Sequence, residues 1–435
     1  MRNTSDKATS FNPDKPEVLT DDDAHDLIVH AGNLFLEGKQ AESLKICVSL
    51  LKVPNLRIDN AAAAASLLRD LKQDQMADQV RAMVLDGIQS RQHAASDSVP
   101  ELLVAARALA ALEENDLARE RTTRIRSLQP DDLNDIIKTC MVLDRIGKPE
   151  DALGLAEDFL DRGNETFQNV MSIVFVFGQF EHQTDVKPLL ARAEKRCASE
   201  KDRAVLHYQM AAHGMDVPGD LDQHNMALAT FDSFAKSYDE RLENLENNGP
   251  SLIYSALEEL ELPKTKTRRI LDAGCGTGLC ARFLRRYSKE ITGVDISVPM
   301  LELARDKRVY DFIARTDLSN LTTFPEGRFD MIVCADVLVY FGALDTVLTN
   351  FQVSLNPGGW LILTVETLPE DDDVVGFRLQ TSGRHKHTDA YMLRNLAAAG
   401  FPKPKILKHA RLRNEMGKPI LGTAIAVQKP AFAAF

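Results

Sequence analysis

Residues 269 to 278 read Arg-Ile-Leu-Asp-Ala-Gly-Cys-Gly-Thr-Gly, an apolar run that opens straight into glycines at 274, 276 and 278. A helical pattern from Leu279 to Tyr287 follows at once. So abrupt a change from strand to helix over glycine belongs to a βαβ unit, in which the missing side chains let backbone approach a ligand. The continuation agrees. Glu290–Asp295, Phe312–Asp317, Phe329–Asp336 and Trp360–Glu366 are four more apolar runs, each ending on an acid, the last introduced by Asn356-Pro-Gly-Gly359. Strands alternating with helices imply a doubly wound parallel sheet. Ligands of such sheets bind outside the carboxyl ends of the strands. The acids lie there.

Several nucleotide-binding domains share a glycine loop, so the neighbours must discriminate. The spacing is Gly-x-Gly-x-Gly, without the third glycine position of the dinucleotide fingerprint, and Asp272 precedes Gly274 by two residues. A carboxylate beside a pyrophosphate is electrostatically costly, which argues against a nucleotide-dependent oxidoreductase on this fold. S-adenosylmethionine carries a sulfonium and an ammonium and no phosphate, so carboxylates around it are favourable. On this reading Asp272 serves the ammonium, directly or through water. Asp295 grips both ribose hydroxyls, Asp317 accepts from the adenine amino group, and the Leu318 amide donates to a ring nitrogen. Gly274, Cys275, Gly276, Gly278, Ile296, Asp336 and Val337 complete the expected cofactor wall. Any one of the acids alone reads better as a turn or cap residue. Their ordered recurrence makes the case.

Residues 268 to 367 resemble the class I S-adenosylmethionine-dependent methyltransferases in Arg268–Gly278, Gly293-Val-Asp-Ile-Ser297, Thr316-Asp-Leu318 and Ala335-Asp-Val-Leu338. The whole chain is similar to bacterial methyltransferases that carry tetratricopeptide-like repeats ahead of the catalytic domain, notably in Phe231–Leu242 and Arg378–Tyr391. The resemblance implies a seven-stranded Rossmann-like sheet whose last strand, Ile420 to Gln428 here, is antiparallel. It also implies a lead-in helix over the cofactor. Tyr238 then either reaches the methionine end or packs against Phe231 and Phe234. The fourth-strand segment is Ala-Asp-Val-Leu, not the Asn/Asp-Pro-Pro-Tyr pattern associated with amide and exocyclic-amine acceptors. That leaves oxygen, carbon, sulfur or a more basic amine, with oxygen and basic amine favoured. In Arg378–Tyr391, His385 and His387 are candidate bases beside Tyr391, while Arg378 and Arg384 are candidate anion holders. The competing reading is a solvated loop before a helix.

The N-terminal half carries no such chemistry. Residues 1–20 read as a disordered leader, 21–215 as helical, 216–227 as a linker, and 228–430 as the methyltransferase-like domain. Ala41, Ala77, Ala118, Ala152 and Pro188 each follow a helix-breaking turn, at spacings of 36, 41, 34 and 36. That period suits helical hairpins resembling tetratricopeptide repeats, though a non-repetitive bundle remains the alternative. The histidines of this half are scattered, and it reads as a surface for a protein partner or for the substrate. The expected acceptor is unidentified, with protein, peptide and glycan all open. A non-catalytic cofactor-binding scaffold or sensor acting through the repeats is the rival class.

The 435 residues are 44% hydrophobic and 6% aromatic, a globular composition, and a net charge of −12 disfavours nucleic acid. No secretory h-region or membrane-length apolar run is evident. The six cysteines lack zinc or disulfide spacing, and no metal set is read. The location expected is the cytoplasm.

Overall fold

The structure is a computed structural model. It describes residues 24–431 apart from 25–26, 29–30, 33, 36–37, 54–55, 93–97, 183, 235–246, 321–327, 370–375 and 416–417, and apart from the side chains of 90–92, 223, 230–234, 414 and 418. The leader 1–20 and Tyr238 lie outside the described residues. The chain forms two compact units, Met1–Asp185 and Val186–Phe435.

The first unit is helical: α1 Gln40–Leu50, α2 Ile58–Asp70, α3 Asp74–Gln92, α4 Val99–Ala111, α5 Asn115–Ser127, α6 Leu133–Arg145, α7 Pro149–Phe159 and α8 Phe167–Phe177. Consecutive helices α2/α3, α4/α5 and α6/α7 pair as hairpins, and α2, α4 and α6 pack on one another in turn. One turn recurs between paired helices. The amides of Lys39, Gln73, Glu114 and Lys148 donate to the carbonyls of Leu34, Leu68, Leu109 and Leu143 at 2.8, 2.8, 2.9 and 2.8 Å. Gly38, Lys72, Glu113 and Gly147, just before those donors, all have positive φ. These are Schellman-type C-caps.

Three of the five marker residues, Ala77, Ala118 and Ala152, are at most 1% exposed, where a small side chain lets paired helices close up. Ala41 and Pro188 are exposed. In the first pair Ser43 is the buried small residue, its hydroxyl donating to the Ala31 carbonyl at 2.7 Å. Pro188 starts a helix of the second unit, where a missing N–H is harmless.

The second unit opens with α9 Lys187–Arg196, α10 Glu200–Ala212, α11 Gln223–Phe234 and α12 Gly249–Glu259. The division at Asp185 thus falls ahead of the linker read at 216–227. The reason is packing, since helical periodicity does not say which body a helix faces. From α10, the Tyr208 ring meets His385 edge-on at 6.3 Å between centroids, and Gln209 approaches Gly383. A fragment starting at 222 should therefore expose apolar surface and unfold at lower temperature than one starting at 186, which a thermal melt of the two would show. Equal melting temperatures would count against this division.

Among the described residues these strands follow: β1 Arg268–Ala273, β2 Ser288–Asp295, β3 Phe312–Arg315, β4 Phe329–Cys334, β5 Leu355–Thr367, β6 Phe377–Leu379, β7 His385–His387, β8 Ile406–Glu415 and β9 Lys418–Gln428. The order β3-β2-β1-β4-β5 is parallel, and β9 runs antiparallel between β5 and β8, as the resemblance implied. Among the described residues the strands number nine and not seven, because the β6–β7 hairpin extends the carboxyl end of β5 through Glu366↔Lys386 and Thr367↔His387. Strands of three residues are too short for alternation to reveal them.

The described residues of this unit also include the helices α13 Ala281–Leu284, α14 Val298–Asp306, α15 Asp345–Ser354 and α16 Asp389–Ala398. Alternate strand residues feed the two sheet faces. Leu271, Leu361, Leu363 and Val365 pack under α15 and α16, while Ile270, Trp360 and Ile362 pack under α12.

Candidate functional site

Connections leave β1 toward β2 and β3 on one side and return to β4 and β5 on the other, so the sheet switches direction between β1 and β4. Here the loop ends diverge and leave a crevice. The glycine loop fills its base with φ values of 73°, 51° and 95° at Gly274, Gly276 and Gly278. A Cβ on Gly274 would lie 2.3 Å from a Val337 methyl, and one on Gly278 would lie 2.9 Å from Val309. These positions need glycine for both backbone and space. Above the loop is a cleft whose space, counted out to open solvent, is about 780 Å³. Gly274, Gly276, Asp295, Ile296, Asp317, Leu318, Asp336 and Val337 line it. Asp272, Cys275 and Gly278 are not among its lining residues.

Asp295, 9% exposed, accepts the Gly276 amide on Oδ2 and the Ser297 amide on Oδ1, both at 2.9 Å. These two backbone donors, one on each oxygen, aim the carboxylate. Asp317 accepts the Ser319 amide and hydroxyl on Oδ1, at 2.9 and 2.6 Å, and His224 Nδ1 lies 2.9 Å from its Oδ2. Burial pushes its pKa up, but the Ser319 and His224 bonds outweigh that and hold it below the ordinary value. The Leu318 amide N–H makes no hydrogen bond among the described residues.

Asp272 is 1% exposed and accepts the Tyr310 hydroxyl at 2.7 Å. Burial pushes its carboxyl up to about 7; the Tyr310 bond works against the shift and the Asp295 charge adds to it. Burial also raises the thiols of Cys275, Cys280 and Cys334 well above the ordinary value, so they are inert fillers. No metal-holding group of His, Cys, Asp or Glu exists among the described residues.

The segment 378–391 departs from expectation. His385 and His387 are 4% and 0% exposed, inside the hairpin, and neither lines the cleft. His387 Nε2 lies 3.0 Å from the Gly342 carbonyl. Burial lowers both imidazoles to about 4. Tyr391 accepts the Leu344 amide at 2.9 Å and ties α16 to the start of α15. Arg384 is spent on Glu366, at 3.1 Å, and on Glu415. Arg378 is exposed on β6 opposite Lys386 and is not a lining residue. The segment is thus folded and not a solvated loop: both histidines are enclosed, Arg384 is engaged by two glutamates, and none of the three is among the residues lining the cleft.

Imidazoles with a folded value near 4, below the ordinary 6.5, stabilise the neutral form of the fold. Their contribution is full above about 6.5 and is lost as pH falls toward about 4. The unfolding midpoint of His387→Asn should lose part of the wild-type fall across that window. An identical fall in both proteins would contradict it.

Residues that no motif pointed to also meet here. His224, Tyr340 and Phe341 line the cleft, Tyr310 holds Asp272, and Asn247 and Arg413 hold Asp336. Tyr340 and Phe341 do follow the Ala335–Leu338 block directly, which was the available signal.

Residues 271–363 match the family model described as "Methyltransferase domain". A malonyl-[acyl-carrier protein] O-methyltransferase of Enterobacter lignolyticus is 30% identical over 112 residues, 25% of this chain and 44% of that protein. A ubiquinone biosynthesis O-methyltransferase of Bordetella avium is 26% identical over 101 residues, 22% of this chain and 42% of that protein. The chain spans less than half the length of either. Among solved structures, the Burkholderia thailandensis 1,6-didemethyltoxoflavin-N1-methyltransferase is 22% identical with a TM-score of 0.38, covering 50% of this chain and 93% of that one. The matched family and the mixed α/β sheet identify this region as a Rossmann-like methyltransferase domain of the S-adenosylmethionine-dependent class, with S-adenosylmethionine as its cofactor.

Proposed function

We propose that the protein transfers a methyl group from S-adenosylmethionine to a nucleophilic oxygen or basic amine of a protein, peptide or glycan. Asp295 carries the reading, because its carboxylate ends the second strand, lines the cleft and is aimed by the Gly276 and Ser297 amides, as a grip on a ribose diol requires. The bound cofactor supplies an electrophilic methyl on a sulfonium. Asp295 would hold the ribose. Asp317 and the Leu318 amide would select the adenine, and Asp272, behind the loop, would face the ammonium. With no histidine on the cleft from the hairpin, the acceptor is served by position and desolvation beside Tyr340 and Phe341. An acceptor oxygen held collinear with methyl and sulfur needs no cationic clamp, and Arg384 provides none.

The helical pairs of the first unit, with their recurring caps, support a tetratricopeptide-like array that recruits a protein partner or the acceptor. No helix of the described residues is long and apolar enough to cross a membrane. Reduced cysteines suit a cytoplasmic enzyme. The test is transfer of labelled methyl from the cofactor into fractionated extract, alongside calorimetry with S-adenosylhomocysteine and a nicotinamide dinucleotide. Labelling that depends on the protein supports transfer. Cofactor binding without labelling favours the scaffold or sensor reading, and dinucleotide binding alone rejects the cofactor assignment for the whole chain.

A further inference from the structure

The strand order β3-β2-β1-β4 sets Asp317, Asp295, the glycine loop and Asp336 in a row along the carboxyl edge of the sheet. If the nucleoside takes the first two, as proposed above, the methionine end lies at β4, against Asp336. We infer that Arg413 is a positioning residue for that end of the cofactor, acting through Asp336; the inference rests on the proposed cofactor pose.

Asp336 sits in the left-handed region at φ 56°, a conformation that costs a non-glycine residue energy and clusters at functional sites. Its amide donates to the Thr364 hydroxyl on β5 at 2.8 Å, and the next side chain, Val337, packs over Gly274. The carboxylate is held on both oxygens and still lines the cleft. Arg413 Nη1 donates to Oδ1 at 2.8 Å, and Asn247 Nδ2 donates to Oδ2 at 2.6 Å.

Arg413 is itself 2% exposed. Its Nε donates to Glu415 at 2.6 Å and its other terminal nitrogen meets Glu366, while Arg384 pairs with the same two glutamates. Two guanidiniums and three carboxylates are thus nearly enclosed beneath the cleft floor, one negative charge in excess. Such a cluster adds little stability over apolar packing of the same volume. What it does supply is a carboxylate locked in place before the ligand arrives. A cation then gains attraction without the cost of ordering the group that attracts it. The excess charge suits the ammonium and sulfonium of the methionine end. Asn247 adds a tie to the scaffold, its Oδ1 accepting the Gly249 amide at 2.7 Å at the start of α12.

The test separates the ends of the ligand. Full-length wild type, Asp336→Asn, Arg413→Lys and Asn247→Ala are titrated calorimetrically with adenosine, S-adenosylhomocysteine and S-adenosylmethionine. Asp336→Asn and Arg413→Lys should lose about tenfold or more in affinity for the two methionine-bearing ligands, from one charge-assisted contact weakened, and keep adenosine within about twofold. Asn247→Ala should follow the same pattern more weakly. If Arg413→Lys does not fold by circular dichroism, Arg413→Met with Glu366→Gln keeps the net charge of the cluster, leaves Arg384 paired with Glu415, and should show the same selective loss. Equal losses for adenosine and the longer ligands in folded variants, or no loss, would overturn the inference and leave the cofactor assignment standing. A wild type that binds none of the three overturns both.

Discussion

Asp295→Ala is expected to weaken S-adenosylhomocysteine binding by about 2–4 kcal/mol, roughly thirtyfold to several hundredfold. The carboxylate is 9% exposed, so hydroxyls bound to it exchange little with water, and charge-assisted bonds of this kind count about twice a neutral one. The variant also strands the Gly276 and Ser297 amides, which loosens the loop that must close on the ligand. Some thermal stability should go with them, about 1–3 kcal/mol for buried donors left unsatisfied. The fold should survive, because Asp295 ends β2 and the core residues of that strand, Ile291 and Val294, are untouched. Calorimetry gives the affinity, and a thermal melt of the ligand-free variant separates it from loss of structure. Unchanged affinity in a folded Asp295→Ala protein would remove Asp295 from the site. Asp295→Asn, which keeps one acceptor oxygen and the loop contacts to it, should fall in between.

What the sequence disclosed and what it hid differ in sequence separation. The Gly276–Asp295 contact spans 19 residues, one strand-to-strand step, and the local pattern of apolar run, glycine and acid already implies it. The paired helices of the first unit were legible for the same reason, since each Schellman turn closes on a leucine five residues earlier. The ties that complete the cleft are of another kind. Arg413–Asp336, Asn247–Asp336 and His224–Asp317 span 77, 89 and 93 residues, and no local pattern predicts which charge on a distant strand or helix faces which. The hairpin histidines show the same limit from the other side. Arg378–Tyr391 is basic and polar as a string, yet Tyr208 and Phe377 pack on His385, and Glu366 and Glu415 engage Arg384. Polarity along the chain reports exposure on average. It cannot report which polar groups a tertiary contact will enclose.

The second large effect is one of pH, and it has two faces. Asp272, 1% exposed, has its carboxyl pushed up to about 7, chiefly by burial, from an ordinary 3.8. A folded value above the unfolded one means that the ligand-free fold favours the protonated acid. Its stabilising contribution is full below about 3.8 and is lost as pH rises through about 7, a change of up to about 4 kcal/mol at 1.36 kcal/mol per pH unit. Ligand binding runs the other way. If the cationic ammonium faces Asp272, it prefers the carboxylate, so affinity for S-adenosylhomocysteine should rise as much as tenfold per pH unit up to about 7 and level off above it. Asp272→Asn is the control that isolates the group, since His385 and His387 destabilise the fold on acidification between about 6.5 and 4. That variant should bind more weakly at neutral pH and show neither trend. Tyr310→Phe removes a bond that favours the carboxylate. Its binding profile should therefore move to higher pH, a displacement that a merely structural tyrosine would not produce. Calorimetry from pH 5.5 to 8.5 on the three proteins reads all of this at once. Wild-type affinity that stays flat across that range, with Tyr310→Phe superimposed on it, would take the ammonium away from Asp272 and leave Asp336 as the acid that meets it.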